Sequence, residues 1–289
     1  MNIRKTLSQA LVHRLSKVLF TPEARSSLTS LSLLKFIFLM RGQYSQTELI
    51  TNFSSQQVFV LAPHMDDEVL GCCGTLRRHV LAGTAVTVVY MTDGRRGIPD
   101  LYHQGLPKAV IAEKEQTLVV TRKEEATRAT NIIGVQERIF LDHPDGQLTP
   151  SPQVVGRVQN ILQQRQPEVV YHPSLLDLHP DHWATNRVLY AAMRGLRLAK
   201  GWHPVYRGYE VWTPLVANRI VDISEVLKTK GEAIEQFQSQ LSHTNFARTI
   251  LGINAYRSLY HSHGHGYAEA FFESPLDLYC QIFQRLSLG

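Results

Sequence analysis

The sequence predicts an α/β fold, namely a single Rossmann-like domain with a mainly parallel sheet flanked by helices, plus an N-terminal helical extension. From about residue 56 onward, short apolar runs of strand length alternate with helix-like segments, and this alternation is typical of βα units. Several runs are continuously apolar, as expected for strands that helices cover on both faces. Because no repeat or low-complexity linker divides this region, we predict one domain at residues 53–289 and an extension at residues 1–52.

The individual elements follow from the same pattern. The predicted strands lie at residues 58–61, 85–91, 138–141, 169–171, 209–212 and 219–223. The predicted helices lie at about residues 68–82, 121–133, 152–165, 182–199 and 225–241. Residues 95–120 mix Gly, Pro and polar side chains, so we predict a long loop there, close to a site.

The N-terminal fifth of the chain carries the excess positive charge. Residues 1–50 hold seven Lys and Arg against two Glu, which accounts for the whole formal net charge of +5. Leu7, Leu11 and Leu15 recur at helical spacing. Two interpretations stay open: a helix packed on the body or on a second subunit of a homo-oligomer, and a helix in peripheral contact with a membrane. The apolar residues 31–40 are too few to span a bilayer.

Composition limits the compartment and the partners. Three cysteines, two of them adjacent, do not form a disulfide framework, so we expect a reducing, cytoplasmic location. A peripheral position at the inner face of a membrane is the alternative that the basic extension suggests. The remaining 239 residues have no net formal charge, and nucleic-acid binding is therefore not expected.

Polar side chains follow the first and the fourth predicted strands. His64 and Asp67 stand three residues apart in VLAPHMDDEVLGCCG (60–74), at the turn into a helix, and His179 and His182 have the same spacing in DLHPDHWA (177–184). Because the carboxyl ends of parallel strands meet at one edge of a sheet, two histidines and a carboxylate can hold a divalent metal ion with open positions. Such an ion would make the consecutive acids tolerable.

Other features are less specific. The Pro-Asp-Gly of residues 144–146 is a turn signal, and we predict a turn rather than a ligand source there. Lys230 is predicted on a solvated helix face. A glycine-bearing segment is expected to border the cleft, with a secondary metal site as the less favoured alternative; it contains His261, His263 and His265.

PHMDDE followed by HPDH resembles the paired signature of the LmbE-like (PIG-L) family of zinc-dependent de-N-acetylases. Further stretches are similar: MTDG (91–94), RKEEATRA (122–129), LDHPDGQL (141–148), VDISEVLKTKGEAI (221–234) and GYAEAFF (266–272). The resemblance covers about residues 56–275. It implies a zinc ion, for which Fe²⁺, Co²⁺ or Mn²⁺ can substitute.

The resemblance also implies roles for individual residues. Zinc would be held by His64, Asp67 and His182. Asp66 matches the general base, and a protonated His179 would stabilise the oxyanion, with Asp181 alongside to orient it. More loosely, Arg122 and Asp93 resemble positions near the sugar hydroxyls.

The implied reaction is hydrolysis of the N-acetyl group of an N-acetylglucosamine-type amino sugar, in which metal-bound water attacks the amide carbonyl. One alternative is a zinc amidase that acts on a non-sugar or thiol-conjugate amide. A second alternative is a metal-dependent carbohydrate-binding protein without turnover, against which Asp66 argues, since pure binding needs no free base.

Overall fold

The computed structural model describes residues 47–102, 105–196 and 202–287. The strands of this part are β1 (Glu48–Leu49), β2 (Gln57–Ala62), β3 (Ala85–Thr92), β4 (Glu137–His143), β5 (Val169–Pro173), β6 (Val205–Tyr209), β7 (Arg219–Asp222) and β8 (Ala268–Pro275). The helices are α1 (Asp67–Leu81), α2 (Lys108–Ile133), α3 (Pro152–Arg165), α4 (Pro180–Gly195), α5 (Leu227–Ile234), α6 (Gln238–Leu241), α7 (Phe246–Arg257), α8 (Leu259–Ser262) and α9 (Leu276–Ser287), with short 3₁₀ turns at Pro99–Tyr102 and Ser224–Val226. Thr47–Tyr279 form one compact unit.

The sheet of this unit is open and mixed, and its strand order is β1-β7-β8-β6-β5-β2-β3-β4. Among the described strands β8 alone runs antiparallel to its neighbours β6 and β7. The chain starts β2 in the middle, adds β3 and β4 on one side, and then crosses back to add β5 beside β2. This reversal is the topological switch point of doubly wound folds. The predicted fold class is confirmed.

Helix α1 packs closely on the sheet because two of its positions are glycines. A Cβ atom at Gly71 would lie 2.4 Å from the ring of Tyr209, and a Cβ at Gly74 would lie 2.5 Å from Ile223. The intervening Cys72 and Cys73 are free thiols that are completely buried in the core. The close approach fixes the start of α1 against the carboxyl end of β2.

The structure differs from the prediction at several elements. Helix α2 begins at Lys108 rather than at 121, because its first turns are mostly exposed and carry no apolar stripe to detect. The predicted strand at 209–212 is displaced to Val205–Tyr209, since Arg207 in its middle is neutralised by Glu273 of β8 at 2.8 Å. Strand β8 was missed for the same reason, because two glutamates interrupt its apolar pattern.

The predictions for the extension fall largely outside the described residues. This holds for the helix and for the membrane contact assigned to residues 1–50, of which residues 1–46 lie beyond the described part of the chain. Glu48–Leu49, within the predicted extension, form the short strand β1 beside β7. Among the described residues, no helix combines the length and the apolar composition that crossing a membrane requires. The oligomeric state and the cytoplasmic location stay predictions.

We expect the contribution of His79 to stability to depend on pH. Burial, reinforced by Arg207, lowers the pKa of His79 to about 4, and its Nε2 lies 3.0 Å from the hydroxyl of Tyr171. Between pH 4 and the ordinary pKa of about 6.5, the unfolded chain therefore binds more protons at His79 than the folded chain does. The stability that His79 contributes is present above pH 6.5 and is lost as the pH falls.

The measurement is urea unfolding of the wild type and His79→Gln at pH 7.5 and pH 5. Because glutamine does not titrate, the difference in unfolding free energy between the two proteins should shift by about 2 kcal/mol in favour of the variant at pH 5. A difference that stays constant with pH would contradict the assigned neutral state of His79.

Candidate active site

The candidate site lies at the switch point, where loops follow the carboxyl ends of β2, β3, β4 and β5. The turn after β2 supplies His64, Asp66 and Asp67, while the loop and helix start after β5 supply His179, Asp181 and His182. The turn after β4 adds Asp145. Most of these groups border a cavity of about 510 Å³, whose size lies within the range typical of small-molecule sites.

The turn that presents Asp66 is strained. Its φ is 144°, a backbone region that residues other than glycine rarely adopt and that costs about 1–3 kcal/mol. Fixed contacts hold this conformation: the N–H of Asp66 donates to the buried Glu68 carboxylate at 3.1 Å, and Arg122 donates to the carbonyl oxygen of Met65. The strained residue is therefore the predicted base, and its neighbours hold it in this conformation.

Two of the three predicted metal ligands, His64 and His182, approach one carboxylate oxygen of the third, Asp67. Asp67 Oδ2 lies 3.2 Å from Nδ1 of His64 and 3.2 Å from Nε2 of His182. Burial acts to raise the pKa of Asp67, but His182 and His64 outweigh it and hold that pKa well below its usual range. The same arrangement raises the pKa of His182 to about 9 against the effect of burial.

These residues fit a divalent metal ion. Two ligands at about 2.0–2.1 Å from a tetrahedral zinc ion lie about 3.3 Å apart, close to the separations around Asp67. Neither ring nitrogen of the fully buried His182 has a well-aligned hydrogen bond, although a buried polar group is normally satisfied. Ring nitrogens of His64, His179 and His182 also approach one another within 4.8 Å. Nitrogen and carboxylate donors of this kind suit zinc.

The far side of the His64 ring faces two further carboxylates. His64 Nε2 lies 3.3 Å from Asp145 Oδ1 and 3.3 Å from Asp181 Oδ2, and the three form a second group with metal-ligand spacing. Asp181 also accepts a hydrogen bond from the backbone of Gly146 at 2.8 Å. The side chain of Asp181 thus faces His64, while its backbone N–H reaches Nδ1 of His179, and the orienting role of Asp181 stays a prediction. Asp145, predicted only as part of a turn, belongs to the site.

The surroundings of His179 bear on its predicted protonation state. Burial, together with the positive neighbours His64 and His182, lowers the pKa of His179. Its Nδ1 accepts the backbone N–H of Asp181 at 3.2 Å, which assigns the hydrogen to Nε2. The hydrogen bond to Nδ1 favours a neutral His179 with its hydrogen on Nε2 over the protonated one that the resemblance implied.

Arg122 and Asp93, both predicted near sugar hydroxyls, have different surroundings. Arg122 lines the cavity, but its Nη2 is 3.0 Å from Asp66 Oδ2. Burial raises the pKa of Asp66 to about 6 even though Arg122 opposes the rise. Asp93 does not border the cavity; it binds Arg95 Nε at 2.8 Å and accepts the backbone N–H of Asp145 at 3.1 Å. Asp93 therefore shapes the loop that carries Asp145.

Several cavity residues were not found by sequence reasoning. They are Trp212, Gln240, His243, Thr244 and Phe246, which lie in loops, in the short helix α6 or at the start of α7 without a recognisable motif. Arg96 and Gly97 also border the cavity and lie in the segment predicted as a loop close to a site. The three C-terminal histidines are not among the cavity-lining residues; they occupy α8 and the turn after it.

Comparison with known proteins identifies the family of this chain. Residues 59–193 match the family described as PIG-L: GlcNAc-PI de-N-acetylase. The conserved protein TT1542 from Thermus thermophilus is 30% identical in sequence, with a TM-score of 0.59 over 74% of this chain and 92% of that one. The chain belongs to the PIG-L (LmbE-like) family.

Two further relatives of this PIG-L protein have named activities. The diacetylchitobiose deacetylase of Thermococcus kodakarensis is 26% identical over 234 residues, which cover 74% of this chain and 81% of that protein. The structure of N,N'-diacetylchitobiose deacetylase from Pyrococcus horikoshii, solved with an inhibitor, matches with a TM-score of 0.66 and 25% identity, over 85% of this chain and 93% of that chain. Both relatives are deacetylases.

Asp177 is a positioning residue of the PIG-L site. It lies in the stretch DLHPDHWA (177–184) but was not predicted as a site residue. Its side chain is fully buried, and Oδ2 lies 3.3 Å from Nδ1 of His182. Oδ1 accepts the backbone N–H of His179 at 3.0 Å, and Oδ2 accepts that of Trp212 at 3.2 Å. One carboxylate thus lies beside the His182 ring and anchors the start of α4 and the loop after β6.

Asp177→Asn is expected to weaken metal affinity by about 10–100-fold, because an amide holds the proton on His182 Nδ1 less well than a carboxylate does. Affinity is measured by chelator competition with Co²⁺ and Zn²⁺. Glu210→Gln is the matched control: Glu210 anchors the same loop through Leu215 and Arg257 without contacting His182. Equal losses in both variants would show that Asp177 acts only by holding the loop.

Proposed function

We propose that this PIG-L protein is a metal-dependent hydrolase that removes the N-acetyl group of an N-acetylglucosamine-type amino sugar, giving acetate and a free amine. The observation that carries the proposal is Asp66, a strained cavity-lining carboxylate placed directly beside the convergent groups of His64, Asp67 and His182. The family match and the two named deacetylases support this reaction.

His64, Asp67 and His182 would hold the metal ion. A bound divalent ion would lower the pKa of water and polarise the acetyl carbonyl group. Zinc is the favoured ion for this donor set, and Fe²⁺, Co²⁺ or Mn²⁺ can occupy it. Asp177 and Asp181 orient the two histidine rings from outside.

Asp66 serves as the proton carrier. Its ionised carboxylate, paired with Arg122 at 3.0 Å, accepts a proton from the water molecule that attacks the amide carbon. After the C–N bond breaks, Asp66 returns that proton to the leaving nitrogen. Such a transfer typically contributes 10²–10⁴-fold to the rate, and the placement of the carboxylate next to the ligand set suits it.

His179 stabilises the negative charge that develops on the acetyl oxygen. As a neutral imidazole with its hydrogen on Nε2, it can donate to this oxygen without giving up a proton. One preorganised donor of this type is worth about 2.7–4 kcal/mol of barrier. Arg122 acts through Asp66, and its predicted contact with sugar hydroxyls stays a prediction.

The test is acetate release by the purified, metal-replete protein from a panel of N-acetylglucosamine compounds. The panel contains the free sugar, its inositol and malate glycosides, nucleotide sugars and lipid-linked oligosaccharides, with Asp66→Asn as the control. Release from one class that is lost in the control would support the reaction and identify the substrate. No release from any compound, with one metal ion bound per chain, would refute deacetylation of amino sugars and favour a non-sugar amide or binding without turnover.

A further inference from the structure

Trp212 is a large aromatic side chain left exposed at the cavity. It follows β6 in the loop of residues 210–218, its exposed fraction is 54%, and it borders the cavity together with His179 and Phe246. A tryptophan of this size is usually buried over most of its surface. An aromatic face that stays open inside a concave site is a typical ligand contact.

The indole is held in place before any ligand binds. Its ring stacks on His179 with centroids 6.2 Å apart and planes inclined by 23°, and it meets Phe246 edge-on at 6.1 Å. The backbone N–H of Trp212 donates to Asp177, and Glu210 fixes the loop through Arg257. Binding to such a rigid surface avoids the entropy cost of ordering a side chain.

Polar side chains also border the cavity. Gln240, His243 and Thr244 border it, and the His243 side chain is exposed. A pyranose ring fits an aromatic surface combined with hydrogen-bonding groups, because its C–H face is apolar while its hydroxyl groups project from the edge. A plain hydrocarbon chain would leave these polar groups unused.

We infer that Trp212 forms a stacking subsite for a second sugar ring, so that the substrate is an oligosaccharide or a glycoside with a sugar beyond the acetylated one. The inference rests on the proposed function for the acetamido end, which must reach Asp66. The same cavity extends from Asp66 to Trp212. Its volume of about 510 Å³ falls within the range of about 300–1,000 Å³ that accommodates ligands larger than a monosaccharide.

The experiment compares Trp212→Ala and Trp212→Tyr with the wild type on N-acetylglucosamine and on its β-1,4-linked disaccharide. Trp212→Ala is expected to lower kcat/KM for the disaccharide about fivefold to tenfold through KM, as the loss of one aromatic stacking contact predicts. The monosaccharide should change less than twofold, and Trp212→Tyr should restore most of the loss. Leu178→Ala, at a neighbouring residue that is 85% exposed and outside the cavity lining, should behave as the wild type.

Equal losses on both sugars would overturn the inference, since Trp212 would then act only through His179. A loss in Leu178→Ala as large as that in Trp212→Ala would overturn it as well. These outcomes need a working deacetylase, so a binding measurement separates the two proposals.

The binding measurement is a fluorescence titration of metal-loaded Asp66→Asn with the disaccharide. The chain has three tryptophans, and the quench that disappears in Asp66→Asn/Trp212→Phe reports on Trp212. A Trp212-dependent quench is expected even if no compound releases acetate, in which case the proposed function alone would fail. The absence of such a quench would refute the subsite.

Discussion

Asp66→Asn is expected to lower kcat about 10²–10⁴-fold while the metal ion stays bound. Asparagine has nearly the same shape but cannot take up a proton, so only the transfer step is removed. Its side-chain oxygen can still accept from Arg122, which lies 3.0 Å from the carboxylate in this structure. Asparagine branches at the same atom as aspartate and the contacts that hold the turn remain, so the strained turn at 144° should persist.

The control is Asp142→Asn at the end of β4. Asp142 is another aspartate with positive φ, at 55°, but it is half exposed and pairs with Lys123 at 2.6 Å outside the cavity lining. Its replacement should change kcat less than twofold. Both variants are assayed for acetate release and for metal content per chain. If Asp66→Asn retains a tenth of the activity with metal bound, a different group is the base.

Lys230→Met is expected to reduce the free energy of unfolding by about 3–5 kcal/mol. The side chains of Lys230 and Glu269 are both completely buried, with Nζ and Oε1 2.7 Å apart. Lys230 also donates to the carbonyl oxygen of Leu70 at 2.9 Å, and Glu269 accepts the N–H groups of Gly74 and Thr75. Without the lysine, a carboxylate charge is left in the core with no positive partner.

The matched control is Lys228→Met in the same helix α5. Lys228 is 89% exposed and pairs with Glu232 at 3.6 Å, so its replacement should cost less than about 0.5 kcal/mol. The double variant Lys230→Met/Glu269→Gln should be more stable than Lys230→Met, because no unpaired charge remains. Urea unfolding at one pH measures all three. A loss in Lys230→Met no larger than that in Lys228→Met would show that the buried pair contributes nothing.

Lys230 illustrates how sequence reasoning fails at a buried ion pair. A lysine in a polar helix is usually solvated, and the sequence predicted this for Lys230. Its partner Glu269 stands 39 residues away on β8, in a strand whose glutamates hid its apolar pattern. Nothing local distinguishes a buried charge from an exposed one, because the partner of Lys230 is determined by the packing of α5 on α1 and of α1 on β8.

The same limit applies to the site. Asp145 lies in a stretch typical of a turn, and only the sheet, in which β3 joins β2 to β4, brings it to His64. Asp177 contacts His182 within one stretch after β5, but its sequence is typical of a helix start and did not indicate this contact. Trp212 lay within a predicted strand, and the displacement of β6 moves it into a loop at the cavity.

The sequence by itself determined the fold class, the family and the ligand-type residues at the carboxyl ends of the first and fourth predicted strands. These features depend on local pattern: apolar runs alternate with helical segments, and His64, Asp67, His179 and His182 have spacings that place side chains on one side of a turn. The tertiary structure decided which carboxylates face the His64 ring and which residues line the cavity. Those features depend on distances between segments far apart in the chain and on burial, which local pattern does not encode.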